Sequence, residues 1–159
     1  RFIDVVDRVR GRIPGLRVLL AGDGPLAGEV DEAIRVRRLE ETVLRVGLRE
    51  DVATIMGASD VVLLTSDYEG TPNVILEAQA MGVPVVASAV GGVPESMADG
   101  ETGFAVAGDD PDLLAGRCAE LLENVALRSR FGARGRSFVQ ERFNRETGLR
   151  ANLALYGAD

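Results

Sequence analysis

Glu69 and Glu77 sit in the stretch SDYEGTPNVILEAQAMG, residues 66–82, with seven residues between them. Two nearby carboxylates first suggest an acid and a base. The residues around them suggest a grip instead. Thr71 suits an N-cap, Pro72 the first helical position, and Gly82 the residue that ends the helix. At about 100° per residue, a helix over 72–82 puts Asn73, Glu77 and Ala80 on one narrow stripe. Val74, Ile75, Leu76, Ala78 and Met81 occupy most of the remaining circumference. A helix apolar nearly all round is expected to be buried. A carboxylate on it then needs a partner or a polar cleft, and the small Ala80 leaves room beside Glu77. The first N–H groups of the helix, near Asn73 and Val74, point outwards. A helix end of this kind takes a phosphate, whereas carboxylates repel phosphate and accept hydrogen bonds from sugar hydroxyls. The backbone is therefore assigned to phosphate and the two glutamates to hydroxyls. The plainer alternative is a solvated Glu77 and a loop charge at Glu69, and the expected burial outweighs it.

Three other places could touch a ligand. In AGDGPLAG, residues 21–28, a strand runs through Gly22 and Gly24 into a helix. Gly22, Gly24 and Gly28 loosely match a dinucleotide fingerprint. Pro25 interrupts it, and Val46 and Gly47 stand where the next strand should end in a ribose-binding acid. A tight turn explains this stretch equally well. In VGGVPES, residues 90–96, Gly91 and Gly92 permit a close backbone approach or simply a turn. Arg49 could meet a ligand, but a solvated charge beside Asp51 is the favoured reading.

The elements that must hold these residues alternate in period. Helices are predicted over 2–11, 25–39, 50–59, 72–82, 110–124, 126–140 and 145–156. Strands are predicted over 16–22, 42–47, 60–66, 83–88 and 103–108, with 60–66 the most apolar and central. Residues 91–100 read as a Gly-rich turn with one helical turn. Strands alternating with helices imply an α/β fold, a Rossmann-like doubly wound parallel sheet in one domain, 1–159. Ligands of such folds bind at the C-terminal ends of the strands, here Gly22–Pro25, Gly47–Arg49, Ser66–Asn73 and Ser88–Pro94.

Composition narrows the chemistry. The formal net charge is −7, which argues against nucleic acid as a partner. All 18 basic residues are Arg, a habit that fits a GC-rich genome. Without Lys or His, a Lys Schiff base, a His general base and a His metal site are excluded within the sequence. No acidic pair has dedicated metal-ligand spacing, so no metal is expected. Cys118 falls on the apolar face of a predicted helix and reads as a reduced core residue. No apolar run reaches the roughly 18 residues of a membrane span. The opening RFIDVVDRVRGR lacks both Met and a signal-peptide core, so the chain reads as an N-terminally truncated piece of something longer.

The run SDYEGTPNVILEAQAMGVPVVASAVGGVPESMADGETGFAV, residues 66–106, resembles the donor-binding, C-terminal half of retaining GT-B glycosyltransferases of family four. That family carries Glu-x₇-Glu, a Gly-x-Pro-Val-Val strand, Gly-Gly-x-Pro-Glu and a Gly-x-Thr-Gly-type turn in this order. The segments LLAGDGP, VGLREDV and ASDVVLLTS extend the likeness over roughly residues 1–145. The resemblance implies a role for each matching position. Glu77 would bind the ribose of a nucleotide sugar, UDP- or GDP-linked, with no further cofactor. Glu69 would be the catalytic-site residue, bonded to hydroxyls of the transferred sugar. The backbone of Gly70, Thr71, Pro72, Asn73 and Val74 would hold sugar and distal phosphate. Gly22 and Gly24 would line the phosphate end, and Gly47, Leu48 and Arg49 would meet the base. Gly91, Gly92 and Glu95 would complete the cleft wall.

The resemblance also implies what is missing. The family's donor half begins with a strand, a Gly-Arg-type turn and a Lys-Gly pair, which would precede Arg1. The acceptor would bind mainly to a missing N-terminal domain. The fragment alone is then expected to bind donor weakly and not to turn over, with an exposed sheet edge. A cytoplasmic location is implied, with peripheral association at the inner membrane surface as a variant. Two rivals stand beside this reading. One is an NAD(P)-binding Rossmann domain of an oxidoreductase. The other is a non-catalytic, flavodoxin-like binding module.

Overall fold

The computed structural model describes residues 1–108, 110–144, 148 and 153. Twelve elements follow in chain order. They are α1 (Phe2–Arg10), β1 (Val18–Ala21), α2 (Ala27–Val36), β2 (Val43–Gly47), α3 (Val52–Gly57) and β3 (Val62–Leu64). After these come α4 (Asn73–Met81), β4 (Val85–Ser88), α5 (Val93–Ser96), β5 (Gly103–Val106), α6 (Pro111–Glu123) and α7 (Val125–Arg142). The predicted alternation of helix and strand is borne out, and every strand pairing is parallel. The helix predicted over 145–156 lies outside the described residues.

The predicted sheet is divided. Among the described residues β1 pairs with β2, and β3–β4–β5 form a separate three-stranded sheet. β4 is the central strand of the larger sheet, and the strand predicted to be central, now β3, lies at its edge. Val62, Leu63 and Leu64 are accordingly only half-buried, whereas Val85, Val86, Ala87 and Ser88 of β4 are all buried. The apolar run of β3 was misleading because a strand with one neighbour can carry as many apolar residues as one with two.

The alternation of side chains along β4 divides the core into layers. Val85 and Ala87 pack with Ile75 and Ala78 of α4 and with Val93 of α5. Val86 points the other way, to Val5 and Val9 of α1, Leu114 and Cys118 of α6, and Phe131 of α7. The smaller sheet has its own cluster, in which Ile3 and Val6 of α1 meet Ile34, Leu39 and Val43. α1 therefore joins the two sheets, with Ile3 and Val6 serving one cluster and Val5 and Val9 the other.

Local chemistry sets the helix ends nearest the site. Gly82 ends α4 in the left-handed conformation, φ 77°, as its sequence position predicts. Asp110 caps α6 by accepting from the Asp112 N–H at 2.8 Å, and Asn124 caps α7 by accepting from the Leu127 N–H at 2.9 Å. Thr71 is not the cap of α4. Pro72 occupies that place in extended conformation, ψ 96°, and no side chain caps the helix. No helix among the described residues is long and apolar enough to cross a membrane.

Candidate functional site

Glu69 lies on the loop between β3 and α4 and is half-buried. The Ser66 hydroxyl donates to its Oε1 at 2.6 Å. Its main chain is held as well, because the Gly92 N–H donates to the Glu69 carbonyl at 3.2 Å. The close approach predicted for Gly91 and Gly92 is thus real, and its object is the loop that carries Glu69. A Cβ at Gly91 would lie 1.8 Å from the Glu69 carbonyl oxygen, and one at Gly92 would lie 1.9 Å from that of Gly70.

Glu77 corrects the burial argument. The predicted stripe exists, since Asn73, Glu77 and Ala80 are all exposed on α4. The burial does not, because α4 fully buries only Ile75, Ala78 and Gln79, with Val74 packed in part against the same core. Leu76 is half-buried and Met81 is exposed, so apolar residue types overstated how much of the helix is covered. Among the described residues Glu77 has no hydrogen-bond or ion-pair partner. The buried polar residue of α4 is Gln79, whose Nε2 donates to the Ser96 carbonyl at 2.8 Å and to the Ile75 carbonyl at 3.3 Å. Its Oε1 is buried without a partner among the described residues.

The N-terminus of α4 emerges between the two glutamates. With no side-chain cap, the Asn73 and Val74 N–H groups have no acceptor among the described residues, while the Ile75 N–H donates to the Pro72 carbonyl at 3.0 Å. Pro72 has no N–H, so it contributes shape there and no donor. Thr71 and Asn73 are exposed, and Val74 is half-buried.

The other predicted residues fall into two cavities and an open loop. Gly22 and Gly24 line a cavity of about 330 Å³ together with Arg45 of β2. Arg45 pairs with Asp31 at 2.5 Å and with Asp23 at 3.8 Å, and so ties the Gly-rich turn to β2. Gly22 and Gly47 adopt positive φ, 111° and 64°, and the Gly22 N–H donates to the Gly47 carbonyl at 2.8 Å, so these turns are one unit. Leu48 is 81% exposed. Arg49 is satisfied locally by two 2.8 Å bonds to Asp51, and these hydrogen bonds hold the Asp51 carboxyl below its ordinary range. The sequence reading of Arg49 as a solvated charge does not include this pairing.

Thr71, Gly92 and Glu95 line a second cavity, about 580 Å³, together with Glu141, Arg142 and Phe143 at the end of α7. Glu69 and Glu77 line neither of these two cavities. The sequence places Ser66 only at the start of the Ser66–Asn73 strand end, with no role of its own, and does not single out Gln79, Arg142 or Phe143. Ser66 had a usable signal, a hydroxyl three residues before Glu69 at a strand end. The end of α7 had none, since its charges read as a solvated helix face. No cluster of metal-ligating side chains occurs among the described residues.

Comparisons with known proteins bear on this geometry. The chain is 35% identical over 130 residues to N-acetyl-alpha-D-glucosaminyl L-malate synthase of Bacillus anthracis, a match that covers 82% of the chain and 34% of the relative. Among solved structures it is similar to Anabaena HepE in complex with UDP and glucose, with TM-score 0.87 and 25% identity over 97% of this chain and 44% of that one. The C-terminal domain of a glycosyl transferase group 1 family protein from Francisella tularensis shares its fold, with TM-score 0.82 and 22% identity over 91% of this chain and 78% of that one. The chain spans about a third of the length of the curated relatives it matches. Its Rossmann-like fold is that of the C-terminal domain of GT-B glycosyltransferases, and neither the oxidoreductase nor the flavodoxin-like alternative is favoured. Residues 1–124 match the family described as glycosyl transferases group 1, and the chain belongs to that family.

Proposed function

We propose that the chain is the donor-binding part of a retaining glycosyltransferase that moves a hexose-type sugar from a nucleoside diphosphate to an acceptor hydroxyl. The observation that carries this reading is the uncapped N-terminus of α4, with Glu69 just before it and Glu77 one turn along its exposed stripe. The backbone from Gly70 to Val74 receives sugar and distal phosphate, with N–H donors at every position except Pro72. Glu69 holds the sugar hydroxyls and Glu77 the ribose. Gly22 and Gly24 face the phosphate end, Gly47, Leu48 and Arg49 the base, and Gly91, Gly92 and Glu95 the wall beside the sugar. The complex of HepE with UDP supports UDP as the nucleotide.

In the reaction the bond between the anomeric carbon and the phosphate oxygen breaks, and a bond to the acceptor oxygen forms on the same face. The departing phosphate oxygen takes the acceptor proton. The protein's share is to position the sugar and to stabilise the charge that develops on the diphosphate. The acceptor binds mainly to a domain outside this chain, and no resident cofactor or metal takes part in the proposed step.

Glu69→Gln in the full-length gene product tests this assignment. Turnover is expected to fall about 10²-fold or more while UDP affinity stays unchanged, and the wild-type product should keep the donor's anomeric configuration. Unchanged turnover in the variant, or an inverted product, would overturn it.

A further inference from the structure

We propose that Ser66 and the Gly91–Gly92 pair are positioning residues that mount Glu69 from two sides and leave its Oε2 as the oxygen that meets the sugar. This rests on the donor-site reading above and deepens it. The first support is at the carboxylate, where the Ser66 hydroxyl occupies Oε1 at 2.6 Å. A hydroxyl has one proton to donate, and here it goes to Oε1, while Oε2 has no hydrogen-bond partner among the described residues. The second support is at the main chain, where the Gly92 N–H holds the Glu69 carbonyl at 3.2 Å.

The two glycines are required by space. Any side chain at 91 or 92 would place its Cβ within 2 Å of a carbonyl oxygen of the Glu69–Gly70 segment, at 1.8 and 1.9 Å respectively. Those are main-chain atoms that no side-chain rotation can move aside. Gly91 in addition has φ 50°, in the left-handed region. The far end of the same turn is tied down by Gln79, through its 2.8 Å bond to the Ser96 carbonyl. Gln79 belongs to α4, the helix that presents Glu77. The Glu69 loop, the Gly91–Ser96 turn and α4 therefore form a closed mechanical circuit that fixes one glutamate relative to the other. The glycines act on the protein's own backbone, and contact with the donor is not needed to explain them.

The test uses the full-length gene product and reads release of UDP from UDP-glucose or UDP-N-acetylglucosamine, with UDP affinity measured by calorimetry. Ser66→Ala is expected to lower kcat about tenfold or more with UDP affinity and thermal midpoint unchanged. Ser66→Thr, which keeps the hydroxyl, is expected to restore most of the loss. Gly92→Ala is expected to lower kcat about 10²-fold and to speed amide hydrogen exchange over residues 67–73. Full turnover by Ser66→Ala, equal losses in Ser66→Ala and Ser66→Thr, or unaltered exchange in Gly92→Ala would each overturn the mounting role. A wild-type protein that binds no UDP and releases none from either sugar would defeat the donor reading instead, and the exchange measurement would still decide the mount.

Discussion

At the scale of single residues, Glu77 and Cys118 show how far residue type reaches. The periodicity of 72–82 put Asn73, Glu77 and Ala80 on one stripe, and all three are exposed together. The same periodicity wrongly implied burial, because the count of apolar residues around a helix does not say how many sides have a neighbour. Glu77 remains a candidate through its place beside an uncapped helix end. Cys118 was read as a buried core thiol, and it is one. Burial pushes that thiol up to about 12 from an ordinary value of 9.0. Its proton is therefore held more tightly in the folded state, and the stabilisation is complete below about pH 9 and lost as pH rises towards 12. The slope between those limits approaches about 1.4 kcal/mol per pH unit. Urea unfolding at pH 8 and pH 10 should show a larger fall for wild type than for Cys118→Ala. Equal falls would contradict this. Below pH 9 the folded protein should also be inert to thiol reagents.

At the scale of elements, the helix ends were legible where the signal is chemical and local. Gly82 ends α4 in the left-handed conformation and Asp110 before Pro111 opens α6, as the sequence predicts, whereas Asn124, predicted as the end of one helix, caps the start of the next. Thr71 failed as a cap because Pro72 took the extended position itself. Close packing between α4 and α7 was not legible, since glycines within a charged helix look like weak points. Gly132 in fact lets α7 reach the end of α4, where a Cβ would sit 2.1 Å from the Gly82 carbonyl oxygen. The Arg136 Nη2 caps the same end by donating to the Met81 carbonyl at 2.8 Å. Gly132→Ala improves helix propensity by about 1 kcal/mol, yet it should destabilise the protein by about 1–3 kcal/mol through overpacking. Denaturant unfolding checks this, and a stabilised variant would show that α7 does not depend on the close approach.

At the scale of the whole molecule, the parallel α/β architecture followed from the alternation of periods, but the continuity of the sheet did not. Pairing partners are a long-range property, and β3 reads as central from its apolar run although it has one neighbour among the described residues. Among the described residues the two sheets are joined by side-chain packing through α1, without a ladder of hydrogen bonds between them. Amide exchange should therefore be slowest in β4, which is buried and paired on both edges, and faster in β1 and β2. Uniform protection across all five strands would contradict this division. The ordered motifs from Glu69 to Val106 made the family legible, and the Gly22–Gly24 cavity is lined mostly by the local stretch 20–30, whereas the larger cavity brings Thr71 and the end of α7 to one space, which no local pattern encodes.

The central claim is that this surface grips a nucleoside diphosphate through α4 and Glu77. Calorimetric titration of the full-length protein with UDP, with NAD as the comparison ligand, in wild type and Glu77→Ala, tests it most directly. The expected result is UDP binding by wild type, no NAD binding, and a loss of UDP affinity of about tenfold or more in the variant, with a thermal midpoint unaltered because the side chain is exposed. Equal UDP affinity in the two proteins, or binding of NAD in place of UDP, would contradict the claim.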